Sequence, residues 1–120
     1  MMGFGKAEHL CSRKDTDLLW SEGKKFTVYP FRVVVREREE GYGVKLLIVV
    51  RKRNFHHAVD RNRWRRLIRE AYRRQKDVVA GRNADVGIMV VSDEIFEYAK
   101  VYARLQKVLE RIAEGDRLPV

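Results

Sequence analysis

Apolar residues fall along the chain in runs that alternate between strand-like and helix-like spacing. Strand-like runs rich in β-branched residues cover about Phe31–Arg38, Val44–Arg51 and Val86–Val91. The turn-like segment 39–43 predicts that the first two of these strands pair as an antiparallel hairpin. Residues 26–29 have a similar composition, but Pro30 interrupts the run, so we expect at most an extra short strand there.

Three other segments have helix-like spacing: residues 12–22, residues 60–76 and the segment that follows residue 92. In the last of these, apolar residues recur three and four positions apart from Ile95 to Ile112, which is typical of a helix with one buried side. Small polar residues and glycines predict where the helices begin and end. The predicted caps are Ser12 or Asp15, then Asp60, then Ser92 or Asp93, and the predicted ends are Gly23, about Lys76, and Gly115.

The element order is therefore helix, hairpin, helix, strand, helix, with room for one extra short strand. This order predicts an α/β (α+β) two-layer sandwich in which the helices pack against a small sheet. The chain has 120 residues and contains neither an internal repeat nor a long linker, so we expect a single domain over 1–120. Its ends, residues 1–11 and 116–120, are expected to be flexible tails.

The middle helix has an apolar stripe on one side and a basic surface on the other. Three pairs of arginines four residues apart repel each other, at a cost of about 0.2–0.5 kcal/mol per pair. We expect Glu70 to relieve part of this repulsion by pairing with Arg66 and Arg74. Burial of Trp64, Leu67 and Ile68 contributes about 1.5–3 kcal/mol for each side chain, so packing outweighs the repulsion. The stripe consists of Trp64, Leu67, Ile68, Ala71 and Tyr72, and the opposite side carries Asn62, Arg65, Arg66, Arg69 and Arg73.

The net charge of +9 is concentrated in one part of the chain. Between Arg51 and Lys76 there are 11 Lys or Arg and 2 Asp or Glu, so this window carries 11 − 2 = +9 and the rest of the chain sums to zero. A basic helix surface is usually just solvated, but this clustering favours a footprint for a polyanion. Arginine suits bidentate phosphate contacts and stacking on bases, which indicates RNA or DNA as the partner.

Other functional classes receive little support from the sequence. The longest apolar run, Leu46–Val50, is far shorter than the roughly 20 residues of a membrane span. The N-terminus has no signal-peptide pattern, and the lone Cys11 cannot form an internal disulfide, so we expect a cytoplasmic protein. No Ser-His-Asp pattern, P-loop or H-E-x-x-H motif is present, and we therefore expect no catalytic residues on the polypeptide.

Several side chains outside the basic helix allow both a structural and a functional interpretation. The adjacent His56 and His57 point poorly at one metal ion, so a structural or phosphate-contacting role is favoured over a metal site. Trp20 is equally compatible with a core position and with stacking on a nucleotide base. The carboxylates of Asp15, Asp17 and Glu22 flank a short helix, where capping and solvation explain them better than metal binding.

The stretch "AVDRNRWRRLIREAYR", Ala58 to Arg73, resembles the signature of the bacterial ribonuclease P protein subunit. Its "RNR" core lies at Arg61, Asn62 and Arg63. The resemblance covers most of the chain, from the short helix that ends at Gly23 to the last helix, except the first dozen residues and the C-terminal "DRLPV".

This resemblance implies a fold of the ribosomal-protein-S5 domain-2-like type with a left-handed crossover around the arginine-rich helix. It also implies that the protein joins a large catalytic RNA and assists removal of the 5′ leader from precursor tRNA. In that family the RNA performs the hydrolysis with bound Mg²⁺, and we expect no magnesium ligand on the protein. The implied partners are the catalytic RNA and precursor tRNA, with one protein per RNA and neither DNA nor a membrane.

The resemblance also assigns candidate binding residues by position. Thr16 and Val34 occupy positions where the family often has cleft aromatics, which implies weaker stacking on the leader, or stacking by Phe31 instead. Residues 54–60 are slightly longer than the usual connection. The residues implied to contact the catalytic RNA are Arg61, Asn62, Arg63, Arg65, Arg66, Arg69 and Arg73, and those implied to line the leader cleft are Trp20, Phe31, Arg51, Lys52 and Arg53.

Two alternatives remain open on the sequence. One is a structural RNA-binding protein of ribosomal-protein type without a role in an enzyme, although the long basic signature helix argues against it. The other is a DNA-binding helix-turn-helix protein, which is disfavoured because strands flank the basic helix and no helix directly precedes it.

Overall fold

The computed structural model describes residues 13–38 and 43–114, and it confirms the predicted mixed α+β fold. In these ranges the chain forms four strands, three α-helices and one short 3₁₀ helix. In chain order they are α1 Arg13–Glu22, β1 Lys24–Val28, β2 Phe31–Glu37, β3 Val44–Val50, α2 Ala58–Arg73, the 3₁₀ helix Lys76–Val79, β4 Ala84–Val90 and α3 Tyr98–Glu114.

The four strands form one sheet in the order β1-β2-β4-β3, with β4 antiparallel to β2 and parallel to β3. The predicted hairpin between the second and third strands is therefore wrong, because β4 lies between them. Every residue of β4 except Met89 is buried, whereas most of β3 is only half-buried. A strand covered on both faces belongs in the centre of a sheet, which explains the placement of β4. The extra short strand before Pro30 is confirmed as β1.

The main hydrophobic core lies between one face of the sheet and the helices α2 and α3. On β4 the inward side chains are Val86, Ile88 and Val90, and on β2 they are Phe31, Val33 and Val35. Helix α3 inserts Leu105 and Leu109 among the central side chains of this layer. Helix α2 packs beside α3 and against β3, so its position is fixed by the core.

The opposite face of the sheet is partly covered by α1, which packs Leu19 on Val34. Gly23 ends this helix as predicted, and its backbone N–H donates to Leu19 O at 2.9 Å. A side chain at Gly23 would not fit, because a Cβ atom there would lie 2.4 Å from Val34 Cγ2. The predicted cap Ser12 lies outside the described residues, as do residues 1–11.

Helix α2 begins two residues before the predicted start, at Ala58, and His57 occupies the cap position without a side-chain cap bond. Asp60 is therefore not the cap: it lies in the first turn, and its backbone N–H donates to His57 O at 3.1 Å. A carboxylate in this turn is still stabilised by the positive end of the helix dipole. The helix ends at Arg73, before the predicted Lys76, where the separate 3₁₀ helix starts.

Helix α3 begins at Tyr98, so neither Ser92 nor Asp93 caps it. Ser92 Oγ instead accepts from the backbone N–H of Glu94 at 2.9 Å and donates to Glu94 O, which closes a local turn before the helix. The predicted end at Gly115 and the predicted tail 116–120 lie outside the described residues. The S5-like description and the left-handed crossover from β3 through α2 to β4 stay predictions.

Candidate nucleic-acid interface

The apolar stripe of α2 holds the helix in a fixed orientation on the sheet. Trp64 is fully buried, and its ring contacts Phe31 edge-on at a centroid distance of 6.0 Å and Phe96 at 5.6 Å. Ile68, Ala71 and Tyr72 are buried with it, and Leu67 is half-buried against the same core. The predicted stripe is thereby confirmed, and the opposite side of α2 faces outward.

We call that outward side, consisting of Asn62, Arg65, Arg66 and Arg69, the arginine face. Asn62 and Arg66 are exposed, and Arg65 and Arg69 are half-buried. Arg65 donates from Nη1 to Asn62 Oδ1 at 3.2 Å. Among the described residues none of the three arginines forms an ion pair, and Arg69 Nε is enclosed without a hydrogen-bond partner. These guanidinium groups therefore have donors available for phosphate oxygens.

The other predicted RNA-contacting arginines of α2 have partners or lie apart from this face. Arg61 donates from Nη1 to Phe55 O at 2.8 Å and to His56 O at 3.1 Å, so it fixes the connection that precedes the helix. Arg73 forms two hydrogen bonds with the carboxylate of Glu70, at 3.0 and 2.6 Å. Arg63 is exposed and lines a small cavity together with Arg66 and Tyr98, so it lies beside the arginine face rather than within it.

The carboxylate of Glu70 pairs with Arg73 and Arg74, whereas the sequence predicted Arg66 and Arg74. The expected pairing with Arg66 is wrong, because Arg73 occupies the carboxylate with a bidentate contact. Glu70 therefore neutralises charge near the end of the helix and leaves the charge of the arginine face uncompensated.

Glu70 also makes the free energy of unfolding depend on pH. Hydrogen bonds from Arg73 and Arg74 lower the pKa of the Glu70 carboxyl from 4.5 to about 2. A carboxyl whose folded pKa is depressed contributes stability that is fully present above its unfolded pKa and is lost as the pH falls through its folded pKa. We expect the difference in unfolding free energy between wild type and Glu70→Gln to be present at pH 7 and to shrink between about pH 4.5 and 2. Urea unfolding at several pH values measures it, with Glu94→Gln as the control, and a difference that does not change with pH would contradict the assignment.

The second candidate surface is the sheet face on the side of α1, which we call the cleft face. Strand register places Val34, Gly87 and Leu47 in one row across this face. The half-buried ring of Trp20 lies over the row, and a Cβ atom added to Gly87 would be 3.4 Å from Trp20 Cζ2. The indole thus packs on bare backbone while part of its surface stays open, and its stacking on a nucleotide base stays a prediction.

Phe31 does not belong to the cleft face. Its side chain is fully buried in the main core against Trp64, on the other side of the sheet. The prediction that Phe31 stacks on a leader is therefore wrong. Val34 and Thr16 leave no aromatic side chain at the two family positions, and Val34 is buried under Leu19.

The basic stretch Arg51–Arg53 lies where β3 ends and the connection to α2 begins. Lys52 and Arg53 are exposed, and Arg51 is half-buried with its Nε enclosed and without a hydrogen-bond partner. The backbone carbonyl of Arg51 accepts from the N–H groups of Asn54 and Phe55, which fixes the turn. The stretch therefore links the end of the cleft face to the start of the arginine face.

Three further residues of the cleft face were not predicted from the sequence. Arg32 is exposed, and Val49 and Met89 are half-buried. They form the next row of the sheet, because Arg32 pairs with Met89 and Val49 pairs with Met89. Their signal was the two-residue period of the strands: each lies two positions from a residue of the row under Trp20. Together they supply one cation and two apolar side chains beyond the edge of Trp20.

A buried carboxylate closes the other end of the cleft face. Asp85 is fully buried and accepts from Arg38 Nε at 3.0 Å and Nη2 at 2.6 Å, and Arg36 Nη1 lies 3.8 Å away. Arg36 also approaches Glu22 of α1 at 3.5 Å. This network joins α1 to the sheet and fixes the width of the cleft there.

Neither surface offers a site for a metal ion held by the protein alone. Within 13–38 and 43–114, no group of three or more His, Cys, Asp or Glu side chains is arranged to hold one. His56 and His57 are both exposed at the start of α2. In the same part of the chain no helix has the length and apolar character needed to cross a bilayer.

Comparison with known proteins gives a consistent family. The model of the family described as Ribonuclease P matches residues 4–113. A ribonuclease P protein component from Porphyromonas gingivalis is 43% identical over 120 aligned residues, which cover 92% of this chain and 87% of the relative. One from Thermotoga maritima is 38% identical over 76 residues, covering 63% of each chain.

Solved structures show the same fold. The RNase P protein from Thermotoga maritima superimposes with a TM-score of 0.75 at 29% identity, over 87% of this chain and 96% of the other. The RNase P protein from Staphylococcus aureus also gives a TM-score of 0.75, over 94% of this chain and 98% of that one, at 22% identity. The sheet and helices that present the two candidate surfaces are thus those of the structural relatives.

Proposed function

The chain belongs to the ribonuclease P protein family, and on that basis we propose that it binds the catalytic RNA and the 5′ leader of precursor tRNA. In this proposal the protein assists the Mg²⁺-dependent endonucleolytic cut that produces the mature tRNA 5′ end. Membership of the family gives the chain a role in an endoribonuclease complex with an RNA subunit. Where each RNA docks is the part proposed from the geometry.

The observation that carries the proposal is the arginine face. Three arginines project from a helix whose other side is locked into the core, and none of them has an ionic partner in the part of the chain that the structure describes. A helix fixed by its buried side holds these guanidinium groups in place before RNA binds, so little conformational entropy is lost when they contact phosphates. We assign this face to the catalytic RNA.

The cleft face is assigned to the single-stranded leader. Its open part combines the indole of Trp20 and the cation of Arg32, and the half-buried Arg51 lies at its end. Stacking on an aromatic ring and contacts from cations to the backbone are how proteins hold single strands without reading their sequence. The turn Arg51–Arg53 then brings the leader close to the RNA docked on α2.

In this mechanism the protein positions RNA and performs no bond chemistry. Proton transfer and hydrolysis are assigned to the RNA with its bound Mg²⁺, as the resemblance to the family implies. Among the described residues no group of three or more His, Cys, Asp or Glu side chains is arranged for a metal ion. The cations of the protein lower the repulsion between two RNA chains, which reduces the Mg²⁺ needed for their assembly.

Titration of the labelled catalytic RNA with the protein tests the docking step. We expect saturable binding with one protein per RNA and an affinity that falls as salt is raised, because each phosphate contact releases counterions. A stoichiometry other than one, or binding that ignores salt, would contradict this part of the proposal.

Leader binding predicts a selective effect of Trp20→Ala. Loss of one stacking platform costs roughly 1–3 kcal/mol of binding free energy, so affinity for precursor tRNA should fall while affinity for mature tRNA stays nearly constant. Competition binding to the RNA–protein complex measures the two affinities side by side. Trp20→Phe is the control, since a phenyl ring keeps the stacking surface, and equal losses for both tRNAs would assign Trp20 to folding alone.

A further inference from the structure

Helix α3 carries a second line of basic residues that the proposed function does not use. Lys100, Arg104, Lys107 and Arg111 follow each other at intervals of four, three and four residues. This spacing places all four on one side of an α-helix. The opposite side holds Val101, Leu105 and Val108 in the main core, so the basic line faces outward.

Within the described residues, none of the four cations of this basic line forms an ion pair with a carboxylate, although Glu110 and Glu114 lie on the same helix and Glu97 directly precedes it. Lys100 instead lies over the ring of Phe96 at 4.2 Å, and Arg111 lies 5.4 Å from the ring of Phe26. Arg104 and Lys107 lie between these two, and within 13–38 and 43–114 neither has an ion pair or an aromatic ring as partner.

An exposed aromatic ring stands beside these two cations. Tyr29, in the turn between β1 and β2, is 56% exposed, and its ring contacts Phe96 at a centroid distance of 6.1 Å. A groove of about 400 Å³ runs between this turn and α3, with Tyr29, Arg104 and Lys107 in its walls. Glu110 and Glu114 also line the groove, at the end away from Lys100.

The groove is separate from both surfaces assigned above. Helix α3 contacts β1, which is one edge of the sheet, whereas α2 contacts β3, which is the other edge. The groove is also on the side of the sheet that carries α3, whereas Trp20 lies on the opposite face. A ligand bound between Tyr29 and Arg104 would leave the arginine face and the cleft face free.

We propose that this groove is a further binding site for single-stranded RNA, in which Tyr29 stacks on a base and Arg104 and Lys107 contact the adjoining phosphates. The chemistry favours a nucleotide chain over an acidic peptide, because the exposed ring supplies a stacking surface that carboxylates do not use. Sequence-independent binding is expected, since every base has a stacking face and the groove offers few groups that read base edges. The proposal does not depend on the function proposed above.

A short labelled oligonucleotide tests the site without catalytic RNA or tRNA. The protein used is the full chain with Arg65→Ala, Arg69→Ala and Trp20→Ala, so that the arginine face and the cleft face contribute little. Adding Arg104→Gln and Lys107→Gln should weaken binding of oligouridylate about 25-fold at 0.1 M salt, since each phosphate contact on a single strand adds about 0.7 to the salt slope. Tyr29→Ala should weaken it at least about fivefold, whereas Tyr29→Phe should retain it.

Two controls separate a local site from general charge. Lys24→Gln with Arg82→Gln removes the same two charges elsewhere on the surface, and it should change binding far less than the groove variant. Amide resonances of Tyr29 and of residues 100–111 should shift when the oligonucleotide is added. Equal losses in the two double variants, an unchanged affinity for Tyr29→Ala, or an acidic peptide that displaces the oligonucleotide at equal charge concentration would each overturn the proposal.

Discussion

Replacing Arg65 and Arg69 together by alanine is expected to weaken binding of the catalytic RNA about 25- to 60-fold at 0.1 M salt. The figure follows from counterion release, in which each lost phosphate contact lowers the slope of log affinity against log salt by about 0.7–0.9. Both side chains project from the arginine face without ionic partners in the described chain, so their loss breaks no ion pair there, and Arg65 loses only its hydrogen bond to Asn62. Salt titrations of binding measure the affinity and the slope in one series.

The same experiment needs a variant that loses two charges away from the proposed interface. Lys24→Ala with Arg82→Ala serves this purpose, although Arg82 pairs with Glu37 and its loss could lower stability slightly. This control should keep nearly the full salt slope. If the two double variants lose affinity and slope equally, only net charge matters and the arginine face is not the docking surface.

Trp64→Ala is expected to destabilise the fold by about 3–5 kcal/mol, the largest single effect that the structure predicts on folding. The side chain is fully buried and touches the rings of Phe31 and Phe96, so its removal leaves a cavity between α2, the sheet and the turn before α3. For a domain of this size the melting temperature should fall by roughly 10–25 °C. Thermal unfolding followed by circular dichroism measures the change.

Trp64→Phe is the matched variant for that measurement. A phenyl ring keeps most of the aromatic contact, and it removes an indole N–H that is buried without a hydrogen-bond partner among the described residues. We therefore expect a loss of only about 1–2 kcal/mol. If Trp64→Ala melted within a few degrees of wild type, α2 would not be anchored through this residue. Burial of Trp64 would then not explain the orientation of the arginine face.

The arginine face could be predicted from the sequence because the helical period alone determines which residues of α2 lie on each side. At about 100° per residue, Trp64, Ile68 and Tyr72 fall on one side and Arg65 and Arg69 on the other, and the structure buries the first set only. The partners of Glu70 could not be predicted, because Arg66, Arg73 and Arg74 all lie within reach at spacings of three or four. Rotamer packing decided between them.

The sheet pairing could not be predicted by the same local reasoning. A short connection between two strands usually indicates a hairpin, but β4, which follows much later in the chain, has every residue except Met89 buried and takes the centre. The lack of a side chain at Gly87, on the cleft side of β4, lets α1 approach closely. Pairing of this kind depends on how many faces each strand buries, and only the assembled layers determine that.

The alternation of side chains along a strand would have placed Phe31 correctly, but the prediction for Phe31 did not apply it. Phe31 and Val34 are three positions apart, so their side chains point to opposite faces of a regular strand. Once Val34 is assigned to the cleft, Phe31 belongs to the core, as the structure places it. Apolar character alone could not separate the two faces of β2, because Phe31, Val33, Val34 and Val35 are all buried. In this strand the more open face is marked by Arg32 and Arg36.

The central claim is that the protein assists an RNA catalyst, and one measurement tests it most directly. Cleavage of precursor tRNA by the cognate catalytic RNA is followed at low Mg²⁺ with wild-type protein, with Arg65→Ala/Arg69→Ala, and without protein. We expect wild type to raise the cleavage rate and tighten substrate binding, the double variant to do so only at higher protein concentration, and the RNA alone to be nearly inactive. If the rate at low Mg²⁺ and the affinity for precursor tRNA are the same with and without the protein, the claim is contradicted.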